Sequence, residues 1–269
     1  LLNAYDTFAQ YTGDLRYEEM SQNLFVMLKT ALFDVFFNYS NAYNGVLWTM
    51  TYELFGSFLI FSFLVLFGAN PKRPFVYLLL IILFWDSYYL AFILGMLLSD
   101  IFNSPNLAVK GKKNNKLATF IFLLLGIFLG SYPYGSTANT MYEFLNVDFL
   151  DVHYMSFYHI IGALFIVLSI LRSKIMQQLF STNVFVYLGK VSFPLYLVHM
   201  PILHSLSFIV FDFARSSYSY NVSFVISFLL SMIVIFILAH FVSLFVDDKP
   251  IKFSNYLSKR MLKPEQQQL

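Results

Sequence analysis

Between Tyr220 and Val246 the chain runs for twenty-seven residues without an Asp, Glu, Lys or Arg. As a helix such a run is about 40 Å long, and the hydrocarbon core of a bilayer is about 30 Å thick. In hydrocarbon each unsatisfied backbone amide or carbonyl costs several kcal/mol, so the run must form a helix that bonds all of them internally. Composition extends this to the whole chain. Of 269 residues, 58% are hydrophobic and only 12% charged, and mean hydropathy is +0.66, whereas a soluble domain carries roughly 25% charged residues. The expected fold is therefore an all-α, polytopic membrane helix bundle. With 33 Phe and 19 Tyr against 11 Gly and 8 Pro, disordered and collagen-like classes are excluded. The absence of cysteine removes disulfides and thiolate metal sites. The opening LLNAYDTFAQYTGDLRYEEM has neither a basic start nor an apolar run and does not read as a signal peptide.

Four stretches reach or approach spanning length: Gly45 to Phe67, Met155 to Leu171, Val184 to Phe211 and Tyr220 to Val246. Leu117 to Ser131 is shorter and spans if its ends extend or the bilayer thins. Asn23 to Phe37 carries Lys29 and Asp34 and reads as an interfacial segment. Phe75 to Phe102 holds Asp86 at its centre and fits either one long helix or two short ones. Charge placement decides between them, because cytoplasmic loops concentrate Lys and Arg. Basic residues fall at Lys72 and Arg73, at Lys110, Lys112, Lys113 and Lys116, at Arg172 and Lys174, and in the tail from Lys249 to Lys263. The loop from Tyr132 to Tyr154 has none and holds Glu143, Asp148 and Asp151. Only two passes hinged near Asp86 put every basic loop on one side. Seven passes result, beginning outside and ending in the cytoplasm. One membrane domain covers residues 1–269: a polar and interfacial lead-in at 1–44, helices over 45–246 and a cytoplasmic tail at 247–269.

A charged side chain within a span is costly unless paired or hydrated, which makes Glu53 the first candidate. Helical spacing puts Thr49, Gly56 and Ser57 on or near its face, and small residues there suit a neighbouring helix or a cavity. Its carboxylate suits proton transfer or the orienting of a hydroxyl, and the competing role is interhelical packing. His199 is the second candidate, aligned with Ser192 and Tyr196 at a four-then-three spacing. Pro194 and Pro201 bend that segment and free backbone carbonyls near it. Imidazole, phenol and hydroxyl together suit proton transfer or ligand binding, with an interhelical hydrogen bond as the alternative. His159 ranks lower, while Asp86 suits a solvated hairpin tip. Trp48 and most tyrosines near span ends suit an aromatic belt. Phosphate-loop, GxSxG and HExxH patterns are missing, and no paired metal-ligand cluster is visible.

Three stretches in order resemble the membrane acyltransferase 3 family. NGVLWTMTYELFGSFLIF at 44–61 is similar to that family's Leu-Trp-Ser/Thr-x-x-x-Glu helix. YLGKVSFPLYLVHMPIL at 187–203 resembles its Leu-Gly-x-x-Ser-x-x-Leu-Tyr-Leu-x-His helix. FVDDKPIKFSNYLSKRM at 245–261 resembles the ending in which an acidic residue and Lys-Pro precede a basic tail, here with Asp247 or Asp248 where Glu is commoner. AFILGMLLS at 91–99 adds a fourth match. The resemblance implies transfer of an acyl group, acetyl first, from acyl-CoA to a hydroxyl of a carbohydrate or lipid-linked acceptor. Neither a metal nor a nucleic-acid partner is implied, and membrane lipid is the surrounding partner. By motif match Glu53 and His199 take catalytic or supporting positions, and Trp48, Ser192 and Tyr196 take substrate-binding ones. The family has ten membrane helices, of which the first carries an Arg and a His toward the acceptor. Seven passes thus lead to the expectation that three helices are missing before Leu1 and that this chain alone is inactive.

A seven-helix receptor shares the topology but would carry an Asp/Glu-Arg-Tyr triplet and an Asn-Pro-x-x-Tyr, which the sequence lacks. A transporter with broken helices would show a symmetric second half, and none is found. Cysteines introduced at Asn114 and Ser136 are expected to label from opposite sides of the membrane; labelling from one side refutes the crossing between them.

Overall fold

The computed structural model describes residues 23–103, 116–135, 137–145 and 154–261. Among these the chain is helical and without strands. Helix α1 covers residues 24–37, with a π turn at Thr30–Asp34. It is followed by α2 (Thr49–Phe67), α3 (Arg73–Leu83), α4 (Tyr89–Asn103) and α5 (Lys116–Gly130). Next come α6 (Tyr154–Arg172), the short α7 (Lys174–Phe180) and α8 (Asn183–Arg215). Finally α9 (Tyr220–Val242) passes through a π turn at Ser243–Asp247 into α10 (Asp248–Met261).

Helices α2, α6, α8 and α9 are long and apolar enough to cross a membrane, and α3, α4 and α5 are shorter apolar helices. The protein is an integral membrane helix bundle. The stretch around Asp86 is two helices, α3 ending at Leu83 and α4 opening at Tyr89, so the break lies where charge placement put it. In α1, Lys29 and Asp34 pair at 3.3 Å, while Phe25, Leu32 and Phe33 are exposed. Lys110, Lys112, Lys113, Asp148, Asp151 and the end KPEQQQL lie outside the described residues, as do the cysteine positions Asn114 and Ser136. The tail reads as helix through Met261.

The chain divides into two compact units, one of residues 1–49 with 182–269 and one of 50–181. In the second unit, α2, α3 and α4 share a core of Phe63, Tyr77, Ile93 and Met96. Beside it Asp100 of α4 accepts a 2.6 Å hydrogen bond from the Tyr77 hydroxyl and pairs with Arg73 Nε at 3.2 Å. Arg73 also donates to the Gly68 carbonyl at 2.6 Å. The base of the α3–α4 hairpin is thus fastened by a largely buried ion pair whose charges are satisfied by hydrogen bonds, the condition under which such pairs hold together. Helices α5 and α6 approach through glycine. A Cβ on Gly162 would lie 2.5 Å from the Gly130 amide nitrogen and 2.9 Å from the Gly126 carbonyl oxygen. Gly126 and Gly130 form a small-x-x-x-small step, which lets two backbones touch where lipid provides no hydrophobic drive.

In the first unit, α9 turns a stripe of Ser223, Ser227, Ser231, Ile235 and Ala239 inward, each four residues from the last and each buried. Ser231 meets Ser207 of α8 at 2.6 Å between hydroxyl oxygens, and Ser227 donates to the Ser207 carbonyl. Ser207 lies in the π turn Leu203–Ser207 that follows Pro201 in α8. Both the carbonyl and the hydroxyl of Ser207 at this π turn are thus met by hydroxyls of α9.

Removing one partner of a buried ion pair costs about 3–5 kcal/mol, because the other charge is left uncompensated. Asp100→Leu is therefore expected to lower the Tm of the detergent-solubilised protein markedly, with much of the loss recovered in Arg73→Leu/Asp100→Leu. Additive losses in the double variant would refute the coupling.

Candidate functional site

Pro201 is the starting point in α8. Having no N–H, it cannot bond the carbonyl of Leu197 four residues before it. Asn44 fills that need, its Nδ2 donating to the Leu197 oxygen at 2.8 Å. The turn that begins at Asn44 is thereby fixed to the proline-bent part of α8. One residue earlier on α8, the Tyr196 hydroxyl lies 3.1 Å from the Val46 carbonyl and 3.1 Å from Thr49 Oγ1, which itself reaches the Val46 carbonyl at 3.0 Å. Two hydroxyls carry two protons for these three contacts, so any one arrangement uses two of them as hydrogen bonds. Val46 is buried, and Trp48, between Val46 and Thr49, is half-buried within the fastened turn.

His199 lies three residues beyond Tyr196, with ring centroids 5.8 Å apart. Its Nδ1 is 2.6 Å from the Tyr196 carbonyl oxygen and 3.3 Å from that of Leu195. A carbonyl only accepts, so Nδ1 carries a proton in these contacts and Nε2 is the ring nitrogen they do not use. The ring is thereby oriented by its own helix, and an imidazole is a group able to exchange a proton with a hydroxyl. The structure thus brings Tyr196, His199 and the turn holding Trp48 together. Ser192 is not joined to them: it is exposed and donates to the Gly189 carbonyl of its own helix at 2.8 Å.

Glu53 belongs to the second unit. The inward side of α2 is marked by Thr51, fully buried, and by Gly56, where an added Cβ would meet the Phe92 ring at 2.5 Å. The close helix contact expected at Glu53 is therefore made by Gly56, while Glu53 itself is exposed, with no hydrogen-bond or ion-pair partner among the described residues. Next to it in sequence, Tyr52 packs edge-on against Tyr88 at 5.0 Å and tilted against Tyr89 at 5.3 Å. Trp85 packs edge-on against Phe157 at 6.2 Å. Trp85, Asp86 and Tyr88 are exposed at the α3–α4 turn. Exposed carboxylates accept hydrogen bonds from hydroxyls. Sequence reasoning gave these tyrosines to an aromatic belt, because spacing along one helix does not show which rings meet across helices. The signal available was Tyr88-Tyr89 two residues after Asp86.

His159 bonds the Tyr132 carbonyl at 2.8 Å and ties α6 to the end of α5. Among the described residues no group of three or more His, Asp or Glu converges as a metal site. The side chains of Asp247 and Asp248 lie outside the described set.

A family profile described as an acyltransferase domain, of the acyltransferase 3 type, matches residues 8–240. The chain is also similar to O-acetyltransferase PaAT-1 of Phomopsis amygdali, 23% identical over 258 residues that cover 84% of this chain and 51% of that protein. It therefore spans about half the length of this curated relative. No solved structure matches.

A buried carbonyl left without a donor costs about 1–3 kcal/mol. Asn44→Ala is expected to destabilise the protein by this amount in chemical unfolding. Asn44→Asp, nearly the same size but unable to donate, is expected to do the same or worse. An Asn44→Asp variant as stable as the parent would refute the Asn44–Leu197 link.

Proposed function

The chain belongs to the acyltransferase 3 family, and from that premise we propose that it is the membrane-embedded part of an enzyme that moves an acyl group from acyl-CoA to an acceptor hydroxyl. Acetyl is the favoured group and a carbohydrate or lipid-linked sugar the favoured acceptor. The observation that carries the proposal is the family match over residues 8–240 together with His199, whose Nδ1 is engaged by the Tyr196 carbonyl so that Nε2 is left to accept a proton. The similarity to a protein named an O-acetyltransferase supports the choice of acetyl and of an oxygen acceptor.

In the proposed reaction the acceptor oxygen attacks the thioester carbon, and the carbon–oxygen bond forms as the carbon–sulfur bond breaks. The hydroxyl proton passes to His199 Nε2 and from there to the departing CoA sulfur. The thioester oxygen, negative in the transition state, needs an N–H or O–H donor. Trp48 and Tyr196 are assigned to holding substrate at the fastened turn, with Ser192 at its margin. Glu53, in the other unit, is assigned to substrate recognition, its carboxylate accepting a hydrogen bond from a hydroxyl. The side of the basic residues, cytoplasmic by their distribution, is where acyl-CoA would be met.

General base catalysis contributes about 10²–10⁴-fold. In the full-length protein, His199→Ala is expected to reduce acyl transfer to an endogenous glycan by about 10²-fold or more. Glu53→Gln is expected to collapse transfer while membrane expression persists. Undiminished transfer in either variant removes that residue from its assigned role.

A further inference from the structure

One groove of the first unit takes no part in this reaction. It lies where α8 begins and α9 ends, has a volume of about 480 Å³, and is lined by Tyr187, Phe236, Ile237, His240 and Phe241. Its walls are mainly apolar, and Ile237 and Phe241 are half exposed. One polar pair interrupts them: the Tyr187 hydroxyl is 3.3 Å from His240 Nδ1, with the rings 5.9 Å apart. The groove continues into a column of rings and charge. Phe241 stacks on Phe245 at 6.4 Å, and Lys249 Nζ sits 5.0 Å from the Phe245 ring centroid.

The depth of the groove follows from the helices. Tyr187 is four residues inside the start of α8, about 6 Å along the axis. His240 is two residues from the end of α9, after which the π turn leads into α10, a helix carrying Lys249, Lys252, Lys259 and Arg260 against Asp248. The groove therefore opens at the boundary between an apolar span and a strongly basic helix. An apolar cleft on the outside of a span is filled by a lipid chain. A hydrogen-bonding pair and a cation at its polar end suit an anionic headgroup, the arrangement by which basic pockets between membrane helices select phospholipids. The proton count agrees. The Tyr187–His240 bond uses one proton of the pair, leaving His240 Nε2–H or the Tyr187 O–H to donate to a phosphate oxygen.

We propose that this groove binds an anionic phospholipid, with one acyl chain lying over Phe236, Ile237 and Phe241 and the phosphate held by the Tyr187–His240 pair under the charge of Lys249. The site is independent of the acyl-transfer reading.

Native mass spectrometry of the full-length protein in detergent, with phosphatidylglycerol or phosphatidylcholine added, tests it. The parent protein is expected to retain phosphatidylglycerol preferentially, and retention is expected to fall about fivefold or more in Tyr187→Phe/His240→Ala and in Lys249→Gln, in line with a loss of about 1 kcal/mol. Ile237→Trp, which fills the groove without touching the polar pair, is expected to reduce retention of both lipids. Equal retention of the two lipids by the parent overturns the proposal, as does parental retention in Lys249→Gln or Ile237→Trp. Displacement of phosphatidylglycerol by equimolar CoA also overturns it, since the groove would then be a site for a free phosphate ligand.

Discussion

Hydrocarbon offers no hydrogen bonds, and this constraint governs how the protein is held together. A backbone group released inside the membrane must be met by another part of the chain. Pro201 releases the Leu197 carbonyl, and Asn44, 153 residues away in sequence, donates to it. Tyr196 and Thr49 then bind the Val46 carbonyl, so a single proline sets the position of the turn that holds Trp48. At the π turn after Pro201, Ser227 of α9 donates to the Ser207 carbonyl. Irregular backbone is tolerated at membrane depth where protein surrounds and satisfies it, and both cases here follow that rule.

Charge follows a parallel logic. Asp100, Arg73 and Tyr77 neutralise and bond one another at the base of a hairpin, which makes them structural. Glu53 has no partner of that kind among the described residues, although its helix is otherwise apolar. An ionisable group kept in a span without internal compensation is the usual mark of a residue that meets something other than its own fold. His199 differs again, because it is compensated at one nitrogen only. The carbonyl of Tyr196 engages Nδ1, and the second nitrogen takes no part in that contact.

A large part of the fold was legible in the sequence because membrane constraints are one-dimensional. Run length without charge marks spans, and the basic loops divided Phe75 to Phe102 at the break that α3 and α4 display between Leu83 and Tyr89. The effect of Pro201 was legible in kind, since a missing N–H frees a carbonyl wherever it occurs. Two expectations were refined. Small residues beside Glu53 pointed to a helix contact, but Gly56 makes that contact and Glu53 is exposed. Ser192 shares the periodicity of Tyr196 and His199 and yet bonds back to Gly189, because a helical serine can satisfy itself on its own backbone.

The sequence by itself determined that this is a membrane helix bundle, where its apolar helices lie, and that Glu53 and His199 are its candidate chemical groups. Those conclusions depend on periodicity, run length and the cost of burying charge, all of which are local along the chain. Only the tertiary structure decided which donor meets the Leu197 carbonyl, which nitrogen of His199 is engaged, and that Tyr187 meets His240 across 53 residues beside an apolar groove. Hydrogen bonds are short and directional, so their partners are chosen by how helices pack in three dimensions and carry no periodic mark in the sequence.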